Sequence, residues 1–294
     1  MPRALTPRQR REREAAAKRA NDEHARNKAG TYERKRFGAR IHLPIIDGTT
    51  FILTDQHYWP TEHSLAHRTA LQLAKKLRPW AIISNGDSLD GASISRWGHS
   101  SFIDMASKPT VAQELAINRI RLRDFEGLSF LKYLIWNLGN HDARYETFLA
   151  TRVPEYAEVN GFSLKDHFPE WLPAWTTYIG DQLVIKHRFK GGKYAAANNA
   201  VFAGRSFVTG HDHTLWVKAF TDLNGTRFGA AAGTLADINS QAFLHYTEDN
   251  PVDWQSGFLI AHFRSGWLTG LEPVHCLPDG RVLFRGDLLQ IKGV

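Results

Sequence analysis

The stretch that most limits the fold is Phe130-Leu131-Lys132-Tyr133-Leu134-Ile135-Trp136, an apolar run that leads into Leu138-Gly139-Asn140-His141-Asp142. A short apolar run bounded by polar residues reads as a strand buried on both faces, the kind found in parallel sheets. Residues just past the carboxyl end of such a strand stand where ligands bind in open α/β folds. Gly139 permits a sharp turn; Asn140 offers a neutral oxygen and His141 a titratable nitrogen beside it. An Asn-His-Asp turn also occurs in ordinary loops, so the weight comes from repetition. Asp55-Gln56-His57, Gly86-Asp87-Ser88-Leu89-Asp90 and Gly210-His211-Asp212-His213 each follow an apolar run of their own.

The surrounding periodicity predicts how these ends come together. Residues 49–54 read as a strand delivering Asp55, residues 62–77 as an amphipathic helix, and 80–84 as a strand delivering Asp87. Residues 110–128 read as a second helix before the run at 130–136. Strand–helix–strand–helix–strand is the sign of parallel pairing. Upstream, Ile41-His42-Leu43 alternates as a half-buried strand, and Asp47-Gly48 predicts a hairpin turn joining it to residues 49–54. Downstream, hairpins are expected around Asp181 and at Asn224-Gly225, a helix over 194–203, and strands at 206–209, 258–263 and 282–284. With no internal repeat or linker, residues 40–294 read as one domain.

Composition narrows the chemistry. A single cysteine, Cys276, excludes an intrachain disulfide framework and a Cys-rich zinc site. No apolar segment approaches the length of a membrane span, and the charged N-terminus lacks the apolar stretch of a signal peptide, so a soluble cytoplasmic protein is expected. The net charge of +7 is concentrated at one end: residues 1–40 hold 13 Lys/Arg and 5 Asp/Glu, and the rest is close to neutral. Thr6-Pro7-Arg8-Gln9 resembles a helix start, and charged, Ala-rich sequence continues to Gly30 without an apolar stripe. Residues 1–30 therefore read as a basic, mobile helical arm, either for nucleic acid or simply as a solvated helix.

Asp, His and Asn on several strand ends, without thiolates, suit a pair of divalent cations sharing a carboxylate. In this order the motifs resemble the calcineurin-like metallophosphoesterase superfamily: Asp-x-His at Asp55 and His57, Gly-Asp-x-x-Asp at Asp87 and Asp90, Gly-Asn-His-Asp at 139–142, a lone His, and Gly-His-x-His at His211 and His213. The resemblance spans residues 55–213 and implies an α/β, four-layer αββα sandwich of two mixed β-sheets flanked by helices. It implies that Asp55, His57 and His213 hold one metal, that Asn140, His187 and His211 hold the other, and that Asp87 bridges them. His141 would ligate neither and would serve phosphate or the leaving oxygen, oriented by Asp90. The nucleophile would be a metal-bound hydroxide. Manganese is the expected metal, with iron, zinc, magnesium or nickel as alternatives. For the lone His, His187 follows a strand-like run, while His167 in Lys165-Asp166-His167-Phe168 competes from loop-like sequence.

Two further residues carry weaker signals. Arg144 is placed either to meet substrate phosphate or as a helix surface charge. His99 lies in a loop and either approaches substrate or belongs to a surface aromatic turn. Gly91-Ala92 stands where the superfamily's protein phosphatases carry Arg-Gly, which argues against that class. The Asp at 142 looks like members acting on phosphodiesters, nucleases and cyclic-nucleotide phosphodiesterases among them, and the compact body with a basic arm looks like the stand-alone phosphoesterases of phage and bacterial genomes. The expected function is thus a phosphodiesterase or nuclease acting on nucleic acid or nucleotides; a phosphomonoesterase and a non-catalytic scaffold are the alternatives. The sequence leaves the oligomeric state open. If the arm is separable from the site, deleting residues 1–30 leaves the melting temperature and hydrolysis of a small aryl phosphate unchanged. The same deletion lowers the log–log salt slope of duplex DNA binding by about 0.9 for each phosphate that the arm had neutralised. An unchanged slope, or no binding by the intact protein, would leave the arm as a solubility or partner-docking helix.

Overall fold

A computed structural model describes residues 40–95, 108–239 and 252–291. The arm and His99 lie outside these described residues.

Two mixed sheets face each other. Strands β1 (Ile41–Leu43) and β2 (Gly48–Leu53) are followed by helix α1 (Leu65–Leu77), β3 (Ala81–Asn85), α2 (Val111–Glu126), β4 (Tyr133–Asn137), α3 (Asp142–Arg152) and the single turn α4 (Leu164–His167). Then come β5 (Leu172–Ala174), β6 (Thr177–Ile179), β7 (Leu183–Ile185), α5 (Ala195–Ala203), β8 (Ser206–Thr209), β9 (Leu215–Asp222) and β10 (Gly225–Ala232). The last four strands are β11 (Gly257–Arg264), β12 (Trp267–Cys276), β13 (Arg281–Phe284) and β14 (Asp287–Gln290). The larger sheet runs β14-β13-β12-β11-β2-β3-β4-β5 and the smaller β1-β6-β7-β8-β10-β9.

The layering follows from which residues each strand buries. Ile52, Ile83 and Ile135 meet Leu43, Ile179, Leu183, Ile185 and Val208 between the sheets. Alternate residues of the same strands, Phe51, Leu53, Ile82 and Trp136, pack outward with α1 and α2 residues such as Ala70, Leu71, Leu122 and Phe125. On the far side, Val184 and Phe207 pack against Ala200 of α5. Period-two alternation on strands buried on both faces thus yields the αββα order. Asn137, fully buried at the end of β4, joins the layers: its amide donates to Asn85 Oδ1 and to the Ile185 carbonyl, both at 3.0 Å, and its oxygen accepts from Thr177 Oγ1 at 2.7 Å.

Strands β2, β3 and β4 are parallel, as are β7 and β8, so their carboxyl ends can gather cargo from both sheets. The expected hairpins at Asp181 and Asn224-Gly225 are the antiparallel pairs β6–β7 and β9–β10. The hairpin expected at Asp47-Gly48 does not form. Strand β1 pairs in parallel with β6 in the other sheet, and β2 pairs with β11 and β3. Asp47 instead accepts from the backbone N–H of Ser265 at 2.9 Å and Gly266 at 3.2 Å, capping the β11–β12 turn.

Candidate metal centre

Each expected ligand sits just past a strand's carboxyl end, and the backbone there is unusual. Among the described residues, eight non-glycine residues have positive φ, and five of them are Asp55, His57, Asp87, His211 and His213. Left-handed backbone costs a branched or bulky L-residue roughly 1–3 kcal/mol and persists only where surroundings enforce it. Here the turns reverse the chain so that consecutive polar side chains aim at one place. Glycines let the turns approach: a Cβ on Gly139 would lie 2.0 Å from Asp87 Oδ1, and one on Gly86 would lie 2.4 Å from the His187 ring.

Among the described residues, Asp55, His57 and His213 form one group of potential ligand atoms and Asp87, His187 and His211 another. His213 Nε2 is 3.1 Å from Asp55 Oδ1, and His57 Nε2 is 3.9 Å from the same oxygen. His187 Nε2 lies 3.1 Å from Asp87 Oδ2. Its Nδ1 is 2.8 Å from the Asn85 carbonyl, which only accepts, so Nδ1 carries the proton and Nε2 faces the carboxylate. Burial, the largest influence on Asp55, pushes its carboxyl up; His187 and His213 outweigh it and bring the carboxyl down to about 2. Burial likewise opposes ionisation of Asp87, and His187 overcomes it to hold the carboxyl well below its usual range. Burial lowers His187 as well, but Asp87 and Asp55 raise it to about 10.

Two buried carboxylates so placed need positive charge beside them, supplied by protonated imidazoles or by cations. Asn140 Oδ1 is shut off from solvent and receives no hydrogen bond from any described residue. A neutral oxygen left without a donor beside imidazoles and carboxylates fits a cation ligand, so the residues present suit a pair of divalent metals.

Asp90 holds two rings. Its Oδ1 is 2.8 Å from His141 Nδ1 and 3.2 Å from His57 Nδ1, so both imidazoles present Nε2 to the site. The sequence suggested the pairing with His141 and missed the one with His57. His141 Nε2 lies 3.9 Å from Asp87 Oδ2 and 3.1 Å from an Arg144 amino group, while Arg144 also donates to the Asp90 carbonyl at 2.8 Å. Burial lowers the His141 pKa, but the Asp90 hydrogen bond and Asp87 raise it on balance. His167 lies elsewhere: it ends α4, with Nε2 2.8 Å from the Gly161 carbonyl.

Of three supporting groups, Glu114 and Asn118 went unread in the sequence, and Asp142 was read there only as the end of the 139–142 motif. Asp142, fully buried, accepts from the backbone N–H of Asp87, Leu89 and Gly139 and from the Trp136 indole, at 2.8–3.0 Å. It faces backbone, so the choice of Asp over Glu bears on loop spacing. Glu114 accepts from Gly91 N–H at 2.6 Å and Ala92 N–H at 3.0 Å. Burial, followed by Asp90, pushes its carboxyl up to about 7. Asn118, one turn on, accepts from Ser88 Oγ at 2.8 Å. The readable signal was the polar i, i+4 pair Glu114 and Asn118 on a helix that also buries Leu115, Arg121, Leu122 and Phe125. A separate group, His63, His67 and Asp124, has the Arg121 guanidinium 2.8 Å from His63, a cation that competes with any metal.

No family model and no curated protein matches the chain. Solved structures similar to it include zinc-complexed Vps29 from Entamoeba histolytica, at 14% identity and TM-score 0.39, covering 82% of this chain and 96% of that one. A dimetal phosphatase from Danio rerio matches at 12% identity and TM-score 0.39, covering 84% and 99%. The nuclease MPE of Pseudomonas putida matches at 12% identity and TM-score 0.33, covering 81% and 86%. At these values the likeness carries no argument about chemistry, which rests on the site itself.

The placement of the two histidines is open to measurement. His187→Ala should lower manganese stoichiometry in calorimetric titration, and His167→Ala should leave it at the wild-type value. The reverse result would put the ligand on α4.

Proposed function

We propose that this protein is a dinuclear-metal phosphoesterase, a phosphodiesterase acting on nucleic acid or nucleotides. The observation that carries the reading is the pair of buried Asp–His groups, one on Asp55 and the other on Asp87, gathered from strand ends of both sheets. Asp55, His57 and His213 would hold one cation, and His187, His211 and Asn140 the other, with Asp87 shared. Manganese suits imidazole and carboxylate ligands without thiolate. Bound cations lower the pKa of water and stabilise charge on phosphoryl oxygens.

The chain's own residues supply the rest. Asp90 keeps the His141 Nδ1 proton in place, which leaves Nε2 to act on substrate. Arg144, at 3.1 Å from that nitrogen, stands where its guanidinium can turn to a phosphate oxygen and free Nε2 to carry a proton. During hydrolysis the water oxygen bonds to phosphorus and loses a proton to solvent, the ester P–O bond breaks, and the departing oxygen takes the proton from His141 Nε2. A monoester carries one more negative charge than a diester. Gly91-Ala92, in place of Arg-Gly, adds no guanidinium to meet that charge. A scaffold without chemistry has no use for two buried, cation-demanding carboxylates.

Chelator should abolish hydrolysis of a bis-aryl phosphate and manganese should restore it, with slower turnover of the mono-aryl ester. His141→Ala should keep both metals while turnover falls by about 10²–10⁴-fold, and Asp87→Ala should lose metal. Full activity after metal stripping, or equal metal loss in both variants, would contradict the proposal.

A further inference from the structure

Helix α5 and the loop before it reverse the usual burial order. The helix lies on β8 and β10 through Ala195, Ala196 and Ala200, all buried. The approach is close: a Cβ on Gly229 of β10 would lie 2.6 Å from the Ala196 carbonyl oxygen. The large side chains point the other way. Tyr194 is 62% exposed and Phe202 63%, with Phe189 and Val201 also exposed. An amphipathic helix normally turns its aromatics inward, and clustered exposed aromatics mark an interaction surface.

Charge identifies the occupant. From Gln182 to His211 every acidic or basic side chain is basic: Lys186, Arg188, Lys190, Lys193 and Arg205. Lys190 Nζ sits 2.9 Å from the centre of the Phe202 ring, and Lys193 Nζ lies 5.9 Å from that of Tyr194. Gly191 and Gly192 between these lysines have open space where a side chain would be. The segment begins directly after His187, and its Phe189 ring stacks at 5.7 Å on Phe207 of β8, the strand that runs on to His211. Rings interleaved with ammonium groups match a polymer that alternates flat bases and phosphates. Such surfaces bind single strands, whose base faces are open, and each stacked base contributes through its π-face whatever its identity. A duplex hides those faces.

We propose that Phe189, Tyr194 and Phe202, with Arg188, Lys190 and Lys193, form a platform for single-stranded nucleic acid beside the metal centre. Bases would stack on the rings while the basic side chains meet phosphates. The inference rests on the phosphodiesterase reading for its role, and on exposure and charge for binding itself.

The test compares a fifteen-nucleotide oligothymidylate with an abasic strand of the same length. Both are titrated into full-length protein in chelator, so nothing is cleaved. Equal phosphate number makes any electrostatic contribution of the N-terminal residues the same for both. The intact protein should prefer the base-bearing strand. Tyr194→Ala and Phe202→Ala should each reduce its affinity by about 5- to 150-fold, with abasic binding and melting temperature unchanged. Lys190→Ala should weaken both strands and flatten the salt dependence. Equal affinity for the two strands, or ring variants that bind like wild type, would overturn the platform. So would a dimer that Phe202→Ala converts to monomer without any base preference, which would make the face an interface between copies. Hydrolysis of a bis-aryl phosphate by wild-type protein is scored separately. Its absence beside a clear base preference would sink the proposed chemistry and keep the platform; its presence without base preference would sink the platform alone.

Discussion

The site depends on one buried carboxylate that takes no part in its surface. Asp142 gathers N–H groups from Asp87, Leu89 and Gly139 and from the Trp136 indole. Those donors belong to the loops after β3 and β4, so a single side chain fixes their separation. Burial and the neighbouring Asp87 push its carboxyl up to about 6, a cost partly offset by its hydrogen bonds. The His141 N–H then donates to Asp87 Oδ1 at 2.8 Å, which sets the orientation of the carboxylate proposed to be shared. Removing the Asp142 carboxylate would leave buried backbone donors without acceptors, a penalty of roughly 1–3 kcal/mol each.

The same economy appears around Asp55. Thr54 donates to its carboxylate, as does the backbone N–H of His211, while Thr234 Oγ1 donates to its carbonyl at 2.7 Å. Loops from both sheets therefore hold Asp55, and Asn137 ties those sheets together just below. The left-handed turns at Asp55, His57, Asp87, His211 and His213 would relax if these bonds were absent. Their persistence is how a sheet of ordinary strands comes to carry so much unbalanced polarity in a small volume.

Much of this was legible because strands advertise themselves. The runs before Asp55, Asp87 and Gly139 are apolar on both faces, which only a buried strand accommodates, and polar residues at their ends have nowhere to sit except at the rim. His187 was legible by the same logic once Leu183–Ile185 was read as a strand. Strand β1 was misplaced because Asp47-Gly48 carries local turn chemistry, while partner choice depends on β6, more than a hundred residues away. Strand β12 escaped notice because Gly270 and Pro273 interrupt its alternation and much of it is only half buried. The double role of Asp90, and which loops Glu114 and Asn118 support, depend on three-dimensional neighbours; the local pattern marks only that the Glu114 and Asn118 pair is polar on a buried helix face.

The central claim is that this constellation is a two-cation centre built on Asp87. The most direct measurement is an anomalous difference map from crystals grown with manganese. Two peaks are expected about 3.5–4 Å apart, one beside Asp55, His57 and His213 and the other beside His187, His211 and Asn140, with Asp87 between them. A single peak, or density at His63, His67 and Asp124 in place of these positions, would contradict it.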